Sequence, residues 1–213
     1  LQDRLNREYL SGPEGFDEET SRDLQILLDH YERFRILTVT RVSAGGTGSD
    51  AVNRRFHCRR LEEAGSAGAG LENTDYLVGE PVLVTKNDYG LRLFNGDAGL
   101  LLMIKTRSRS GSRYSEMMVV FPCGGSFLAY PLEALRGKLE LSWATTVHKA
   151  QGSEYDHIAI MLPDLPVRPL TRELLYTAVT RARKSVTFIG STEILASGIK
   201  RKMERISGLA DLL

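Results

Sequence analysis

Polar groups that suit a phosphate or sugar ligand are concentrated in one segment of the last third of the chain, ATTVHKAQGSE. The segment begins in an apolar stretch that we expect to be a buried strand, and open α/β sheets bind ligands at the ends of their strands. Hydroxyl, imidazole and ammonium groups can contact phosphate and sugar, and Gly152 would let the backbone approach a ligand closely. Side chains of these types are also often structural or simply solvated, so both interpretations stay open. The candidate residues are Thr145, Thr146, His148, Lys149, Gln151 and Glu154.

A second segment, TRELLYTAVTRAR, carries two arginines beside a helical apolar pattern. The spacing predicts a helix over 172–183 with a stripe for packing against a sheet. Arg181 falls at the edge of this stripe, beside Thr177, and Arg183 lies on the opposite flank. A guanidinium so placed can neutralise charge on a transferring phosphoryl group, although from the helix alone a solvated arginine favoured by the helix dipole is the better explanation. The stripe comprises Leu174, Leu175, Ala178, Val179 and Ala182.

Two parts of a complete ATP site do not occur in the sequence. No G-x-x-x-x-G-K-[ST] loop is present, and the Gly-rich SAGGTGSD has no lysine after it. No acidic strand that could hold a metal ion precedes that loop. We therefore expect the chain to supply one wall of an ATP cleft, with the other wall upstream of residue 1. Cys58 and Cys123 lack metal-type spacing, which predicts no metal site and two reduced, buried or partly buried thiols.

The elements that must position these residues begin with an acidic N-terminal region. Its apolar residues predict a helix over 19–33, followed by a β-branched strand over 35–40. After a Gly/Ser-rich loop, we predict a helix from Ala51 to Glu63, with Asp50 as its N-cap. The stretch AGSAGAG at 64–70 is typical of a flexible linker.

The middle of the chain has the pattern of a small all-β structure. Residues 76–132 alternate short apolar runs with turn dipeptides such as ND and NG, which predicts a small antiparallel barrel. Residues 107–116 are expected to form a mobile hairpin tip. From residue 139 the pattern is strand, loop with a turn of helix, buried strand, helix, strand and a final helix over 191–205. Alternation of this kind predicts a parallel sheet covered by helices.

The predicted fold is therefore α/β, with the strand at 35–40 joining the later strands in one parallel sheet. The small barrel would be an insertion within that α/β domain. We expect three ranges: 1–75 as the first part of the α/β domain, 76–135 as the inserted barrel, and 136–213 as the remainder of the α/β domain.

Composition excludes little beyond the membrane-spanning and secreted classes. Of 213 residues, 42% are hydrophobic and 26% are charged, both ordinary for a globular protein. No apolar run approaches the roughly 20 residues of a membrane span, and no signal pattern occurs, which favours a cytoplasmic protein. The net charge of +1 combines −5 over residues 1–34 with +6 over the rest. Nucleic-acid binding would therefore depend on local placement of charge.

The two chemical segments resemble helicase motifs. TVHKAQGSEYDHIAIMLP followed by TRELLYTAVTRARKSVTFIG is similar to motifs V and VI of superfamily 1 helicases in order and spacing. The resemblance is to the RecD family, subunits of exodeoxyribonuclease V. It extends to VGEPVLVTKNDYGLRLFNGDAGLLL and to the tail RISGLADLL, and RILTVTR at 35–41 resembles motif IV.

The resemblance implies a fold and a role for each matched residue. The α/β domain would be RecA-like, and the barrel would be the SH3-like insertion that can line the DNA channel. Arg181 would touch the ATP γ-phosphate, joined by Arg41, with Gly152 and Glu154 nearer the nucleotide. The DNA contacts would be Thr145, Thr146, His148, Lys149 and Gln151, together with Asn87 of the barrel, whereas Asn95 in NG is better explained as a turn residue.

The implied activity is that of an ATP-dependent 5′-to-3′ DNA helicase subunit in double-strand break processing and recombinational repair. ATP and Mg²⁺ would be its cofactors, needed by the whole protein and not expected on this chain alone. Single-stranded and duplex DNA and the RecB and RecC subunits would be its partners. Two alternatives stay open: a stand-alone RecD-like helicase, and a non-catalytic module that binds protein or nucleic acid.

Overall fold

The computed structural model of the protein describes residues 1–11, 15–65, 75–107 and 113–203. In chain order the helices are α1 (Gln2–Leu5), α2 (Glu18–Glu32), α3 (Ser49–Gly65), α4 (Arg172–Val179) and α5 (Thr192–Lys200), with a 3₁₀ helix at Leu132–Leu135. The strands are β1 (Tyr9–Leu10), β2 (Phe34–Thr38), β3 (Pro81–Val84), β4 (Ala98–Arg107), β5 (Arg113–Cys123), β6 (Ser126–Pro131), β7 (Leu139–Leu141), β8 (Ala144–Thr146), β9 (Tyr155–Met161) and β10 (Ala182–Ile189).

The chain divides into two units. Leu1–Arg35 and Val52–Ala144 form the first, which we call the antiparallel unit. Ile36–Ala51 and Thr145–Leu213 form the second, the parallel unit. This division differs from the three ranges expected from sequence, and those ranges stay a prediction.

The antiparallel unit is built on the sheet order β6-β5-β4-β3-β7, with β1 paired in parallel to β4. Both faces of β4 are covered, which explains its unbroken apolar run. Leu100, Leu102 and Ile104 pack with α2, whereas Leu101 faces a second cluster with Phe121. Helix α2 begins at the N-cap Asp17, whose carboxylate accepts the Thr20 N–H at 2.8 Å, and the predicted helix over 19–33 is confirmed. Within the described strands no β6–β7 pairing closes the sheet, so an SH3-like barrel stays a prediction.

The parallel unit contains the sheet order β10-β9-β2-β8. Strands β9 and β10 are parallel. The Leu162 N–H donates to Ile189 O at 2.8 Å, and the Val147 N–H donates to Thr38 O at 3.1 Å. Successive strands therefore finish at one edge of the sheet. Helices α4 and α5 cover one face and bury Leu174, Leu175, Ala178 and Ile194 against Leu37, Ile158 and Ile160. The predicted α/β class is confirmed.

Several predicted boundaries are wrong. The helix over 172–183 ends at Val179, and Ala182 starts β10, since the β-branched run that follows pairs with β9. Val179 is exposed rather than part of the buried stripe. LELSWATT is not one strand but β7 and β8, which belong to different sheets.

Smaller corrections concern caps and helix ends. Helix α3 starts at Ser49, so Asp50 lies in its first turn rather than at the N-cap. Residues 147–152 form hydrogen-bonded turns and no turn of helix. Helix α5 ends at Lys200, and residues 204–205 of the predicted helix lie outside the described residues. So do 66–70 of the expected linker, 108–112 of the expected hairpin tip, and the tail from 205 onward. No described helix is long and apolar enough to cross a bilayer.

Candidate functional site

Arg181 occupies the tight connection between α4 and β10. Thr171 caps the start of α4 by accepting the Leu174 N–H at 3.3 Å, and Thr180 ends the helix. The Arg181 N–H donates to Ala178 O at 3.1 Å, while its carbonyl accepts the Tyr155 N–H at 2.8 Å. The backbone of Arg181 is thus fixed by both α4 and the start of β9.

The Arg181 guanidinium is held only by neutral oxygens. Nε donates to Thr177 O at 3.3 Å, Nη1 to Ser153 O at 3.3 Å, and Nη2 to Thr180 Oγ1 at 3.4 Å. Within the described ranges no carboxylate forms an ion pair with it. The proximity to Thr177 expected from sequence is present, although the last turn of α4 and a following bend produce it instead of a continuous helix. An oriented guanidinium with an unneutralised charge can bind an anionic oxygen.

Arg183 has a different environment. It lies on β10, and its Nε pairs with Glu154 Oε2 at 3.1 Å. One step along, Lys184 pairs with Asp156 at 2.7 Å, and this hydrogen bond lowers the pKa of Asp156. The two arginines of TRAR are therefore not equivalent, since only the charge of Arg183 is balanced by an acid.

Residues 152–154 approach Arg181 from the start of β9. Gly152 has φ +89°, a left-handed conformation that favours glycine, and a Cβ placed there would meet nothing within 4 Å. Ser153 contributes its carbonyl to Arg181, and Glu154 contributes its carboxylate to Arg183. The structure thus brings together three of the predicted nucleotide-side residues, namely Arg181, Gly152 and Glu154.

Arg41 lies elsewhere in the parallel unit. It follows the C-terminal end of β2, and its Nε donates to both carboxylate oxygens of Asp50 at 3.1 Å. The same loop contacts the segment after β9, where a Cβ on Gly45 would lie 1.6 Å from Asp164 Oδ2. Arg181 instead precedes the N-terminal end of β10. The sheet separates these edges by the length of a seven-residue strand, roughly 20 Å, so the structure does not bring Arg41 to Arg181.

The loop after β8 presents some of its predicted DNA-side residues and buries others. Val147 and Ala150 anchor it in the core, while His148, Lys149 and Gln151 are exposed. The Ala150 N–H donates to Thr146 O at 3.1 Å and the Gln151 N–H to His148 O at 3.3 Å. Thr145 is 7% exposed and its hydroxyl is buried, so it does not belong to the surface offered to a ligand.

Asn87 belongs to the antiparallel unit and supports a turn there. Its Oδ1 accepts the Asn95 N–H at 2.8 Å, and its Nδ2 lies 3.4 Å from Tyr89 Oη. The turn at NG is confirmed, with Gly96 at φ +103°. The structure gives Asn87 a local structural role, and its contact with DNA stays a prediction.

Sequence reasoning missed three basic residues around His148. Arg168, Arg201 and Lys202 line a cavity of about 440 Å³ together with that imidazole. Arg168 and Arg201 lie 33 positions apart in the sequence, so no local pattern could have grouped them.

The residues present fit the phosphate part of a nucleotide and not its metal ion. The guanidinium of Arg181 suits a phosphoryl oxygen, but among the described residues no group of three His, Cys, Asp or Glu side chains could hold a metal. The expected burial of both cysteines is wrong, because Cys58 and Cys123 are exposed.

Comparisons with known proteins place this geometry in a family. The UvrD-like helicase C-terminal domain matches residues 141–189, which contain the loop after β8, Glu154, Arg181 and most of β10. This match and the parallel sheet fit a RecA-like α/β fold. The chain is also similar to the solved Pif1 helicase from Bacteroides, at 18% identity and a TM-score of 0.43 over 90% of this chain and 49% of that one.

Curated relatives are more similar in sequence. The RecBCD enzyme subunit RecD of Mycobacterium tuberculosis is 40% identical over 168 residues, which are 78% of this chain and 26% of that protein. The RecD subunit of Haemophilus influenzae is 33% identical over 65% of this chain and 19% of that protein. The ATP-dependent RecD2 DNA helicase of Deinococcus radiodurans is 30% identical over 79% of this chain and 22% of that protein. The chain thus spans about a quarter or less of these relatives, and it belongs to the RecD family of helicase proteins.

Proposed function

We propose that this chain is the C-terminal motor half of an ATP-dependent 5′-to-3′ DNA helicase of the RecD type. One observation carries the proposal: the Arg181 guanidinium is fixed by three neutral oxygens and paired with no carboxylate among the described residues. A structural arginine is ordinarily paired with an acid, as Arg183 is with Glu154. An arginine kept uncompensated at the start of a strand suits an anion that arrives from outside, here the γ-phosphate of ATP.

The parallel unit would form one wall of the ATP cleft. Arg181 would stabilise the charge that is redistributed on the phosphoryl oxygens, and Gly152 would leave the approach open because it has no side chain. Glu154, positioned by Arg183, would border the nucleotide. ATP with Mg²⁺ supplies the transferable phosphoryl group when bound, and the phosphate loop and metal ligand would belong to a first RecA-like domain. Arg41 could join this site only if the wall facing it came from a different edge of the sheet.

The loop after β8 would carry the strand of DNA. His148, Lys149 and Gln151 are exposed on a loop whose backbone is fixed by Val147 and Ala150. Thr146 would contribute through its hydroxyl, which already accepts the Lys149 N–H at 3.4 Å. Because β8, this loop and β9 are continuous, movement of bound DNA would be transmitted to residues 152–154 and thus to Arg181. The range 76–135 would be an SH3-like insertion bordering the DNA.

The partners and pathway follow from the relatives that bear the RecD name. They favour a subunit that works with RecB and RecC in double-strand break processing and recombinational repair. The similarity to the Deinococcus radiodurans RecD2 helicase favours a second candidate, a helicase that acts without those subunits. Co-purification of the longer protein with RecB and RecC supports the first, and single-chain unwinding without them supports the second.

Arg181→Ala in the longer protein tests the proposed function. Arg181 lies outside the buried cluster that holds α4 to the sheet, so the variant should fold and still bind ATP and DNA. Its DNA-stimulated turnover, measured by phosphate release, should fall by about a thousandfold or more. Arg181→Lys should rescue poorly, because lysine keeps the charge but loses the planar fork.

Arg183→Ala is the matched control from the same TRAR segment. Its guanidinium already pairs with Glu154, so its loss should be much milder. Equal losses at the two positions, or near-normal turnover in Arg181→Ala, would contradict the assignment.

A further inference from the structure

A basic pocket within the parallel unit lies beside the loop after β8. We define it by its lining: His148, Pro166, Arg168, Pro169, Thr171, Leu174, Arg201, Lys202 and Met203, around about 440 Å³. Three separate segments contribute, namely the loop after β8, the loop before α4 and the residues after α5. Thr171 and Leu174 form its buried floor, and the remaining side chains are exposed around it.

The charge of this pocket is one-sided. Arg168, Arg201 and Lys202 bring three cations, and His148 adds an imidazole that can donate a hydrogen bond. No Asp or Glu is among the lining residues. Across the described ranges neither Arg168 nor Lys202 forms an ion pair with an acid, although like charges brought together repel one another. A cluster of this kind is stabilised by an anionic ligand.

The frame of the pocket is fixed by Arg201. Its N–H donates to Ser197 O at 3.1 Å, its carbonyl accepts the Arg172 N–H at 2.9 Å, and its Nη1 donates to Val167 O at 2.7 Å. The Met203 N–H then donates to Glu173 Oε2 at 3.0 Å. A hydrogen bond from its own backbone N–H lowers the pKa of Glu173, so this carboxylate stays ionised and is committed to Met203 outside the lining. The segment carrying Lys202 is thereby held against the loop carrying Arg168.

We propose that the basic pocket binds a backbone phosphate of single-stranded DNA, extending the DNA path from His148 to Arg168 and Lys202. The inference rests on the proposed function, because it takes the loop after β8 as the DNA-binding loop. The volume accommodates a phosphate with its sugar, and the exposed rim lets a strand enter and leave. Arg168 and Lys202 would contact phosphate oxygens directly. Arg201 would position them, since its own guanidinium already donates to Val167.

The test compares Arg168→Ala and Lys202→Ala with Lys200→Ala in the 213-residue chain. Lys200 is an exposed lysine two residues from Lys202 that does not line the pocket. Binding of fluorescein-labelled oligo-dT is followed by anisotropy over a range of salt concentrations. Each pocket variant should bind about eightfold more weakly at 50 mM salt and lower the salt slope by about 0.7, the value for one phosphate of a single strand. Lys200→Ala should bind like the unmodified chain.

The outcomes separate this inference from the proposed function. If the chain binds oligo-dT and both pocket variants match Lys200→Ala, the pocket is not on the DNA path, while the proposed function stands. If the unmodified chain fails to bind oligo-dT even at low salt, the DNA role of the loop after β8 fails as well. A second arm titrates inorganic phosphate. Saturable phosphate binding that Arg168→Ala abolishes, with oligo-dT affinity unchanged, overturns the strand assignment in favour of a small anion.

Discussion

At the residue scale, charge pairing distinguishes side chains that the sequence alone treats alike. Arg181 and Arg183 differ by two positions, yet one is held by neutral oxygens and the other by Glu154. His148 and His157 differ similarly. His157 Nδ1 lies 2.8 Å from Ser185 Oγ across two strands, whereas His148 lines the basic pocket. Side chains without an internal partner are those available to a ligand.

His148→Ala and Lys149→Ala are predicted to weaken binding of single-stranded DNA. Both side chains are exposed on the loop after β8, whose backbone is fixed from within. Each lost phosphate contact should cost about eightfold in affinity at 50 mM salt, and the loss should shrink as salt rises. Anisotropy titrations of oligo-dT measure it, with His157→Ala and Lys200→Ala as matched controls. Affinities at low salt that equal those of the controls would leave both residues with a structural role only.

At the element scale, the loop between β2 and α3 is the most tightly constrained connection of the parallel unit. The Ser49 N–H donates to Thr40 O at 3.2 Å, and the Asp50 N–H to Arg41 O at 3.1 Å. A Cβ at Gly48 would lie 2.4 Å from Arg41 O, which is a backbone atom and cannot rotate away. The glycine-rich sequence is thus needed for close packing of the backbone around Arg41, and not for binding phosphate.

Gly48→Ala is therefore predicted to destabilise the fold by about 1–3 kcal/mol, the usual cost of overpacking. Urea denaturation monitored by circular dichroism measures it. Gly65→Ala is the control, because it ends α3, has ordinary φ, and a Cβ there would meet nothing within 4 Å. That change should be neutral or stabilising by up to about 1 kcal/mol, as helix propensity favours alanine. A Gly48→Ala midpoint equal to that of Gly65→Ala would show that the loop can relax.

At the scale of the whole molecule, the chain carries half of an ATP site. The parallel unit offers Arg181 and the open backbone at Gly152. The 213 residues contain no phosphate loop, and the described part contains no acidic cluster for a metal. Hydrolysis needs both the phosphate cradle and the metal, because the protein contributes to phosphoryl transfer chiefly by positioning and charge stabilisation.

The isolated 213-residue chain is accordingly predicted to show no ATP hydrolysis above the buffer blank, with or without single-stranded DNA. A steady-state phosphate-release assay checks this. Turnover that is stimulated by DNA, co-elutes with the chain and disappears in Arg181→Ala would mean that the chain holds a complete site. The same preparation should still bind oligo-dT, which verifies that the chain is folded and that the absence of turnover is not caused by denaturation.

The sequence by itself determined the α/β class, the helix after Asp17 and the segments that hold the candidate site. These features depend on local periodicity, on cap residues and on motif order, all of which are contained in short windows. It could not place the end of α4, because LLYTAV and the following TRAR continue one helical pattern. Pairing with β9 converts Ala182–Ile189 into a strand, so tertiary contacts overrode local propensity.

Only the tertiary structure decided which polar groups face outward and which come together. Thr145 and Thr146 are adjacent and chemically alike, but the sheet buries the hydroxyl of Thr145. Arg41 and Arg181 were expected at one site, and opposite edges of the sheet hold them apart. Arg168, Arg201 and Lys202 were not grouped by any pattern, and the fold assembles them around His148. The physical reason is the same in each case: a site is assembled from contacts between distant segments, and a linear pattern contains no distances.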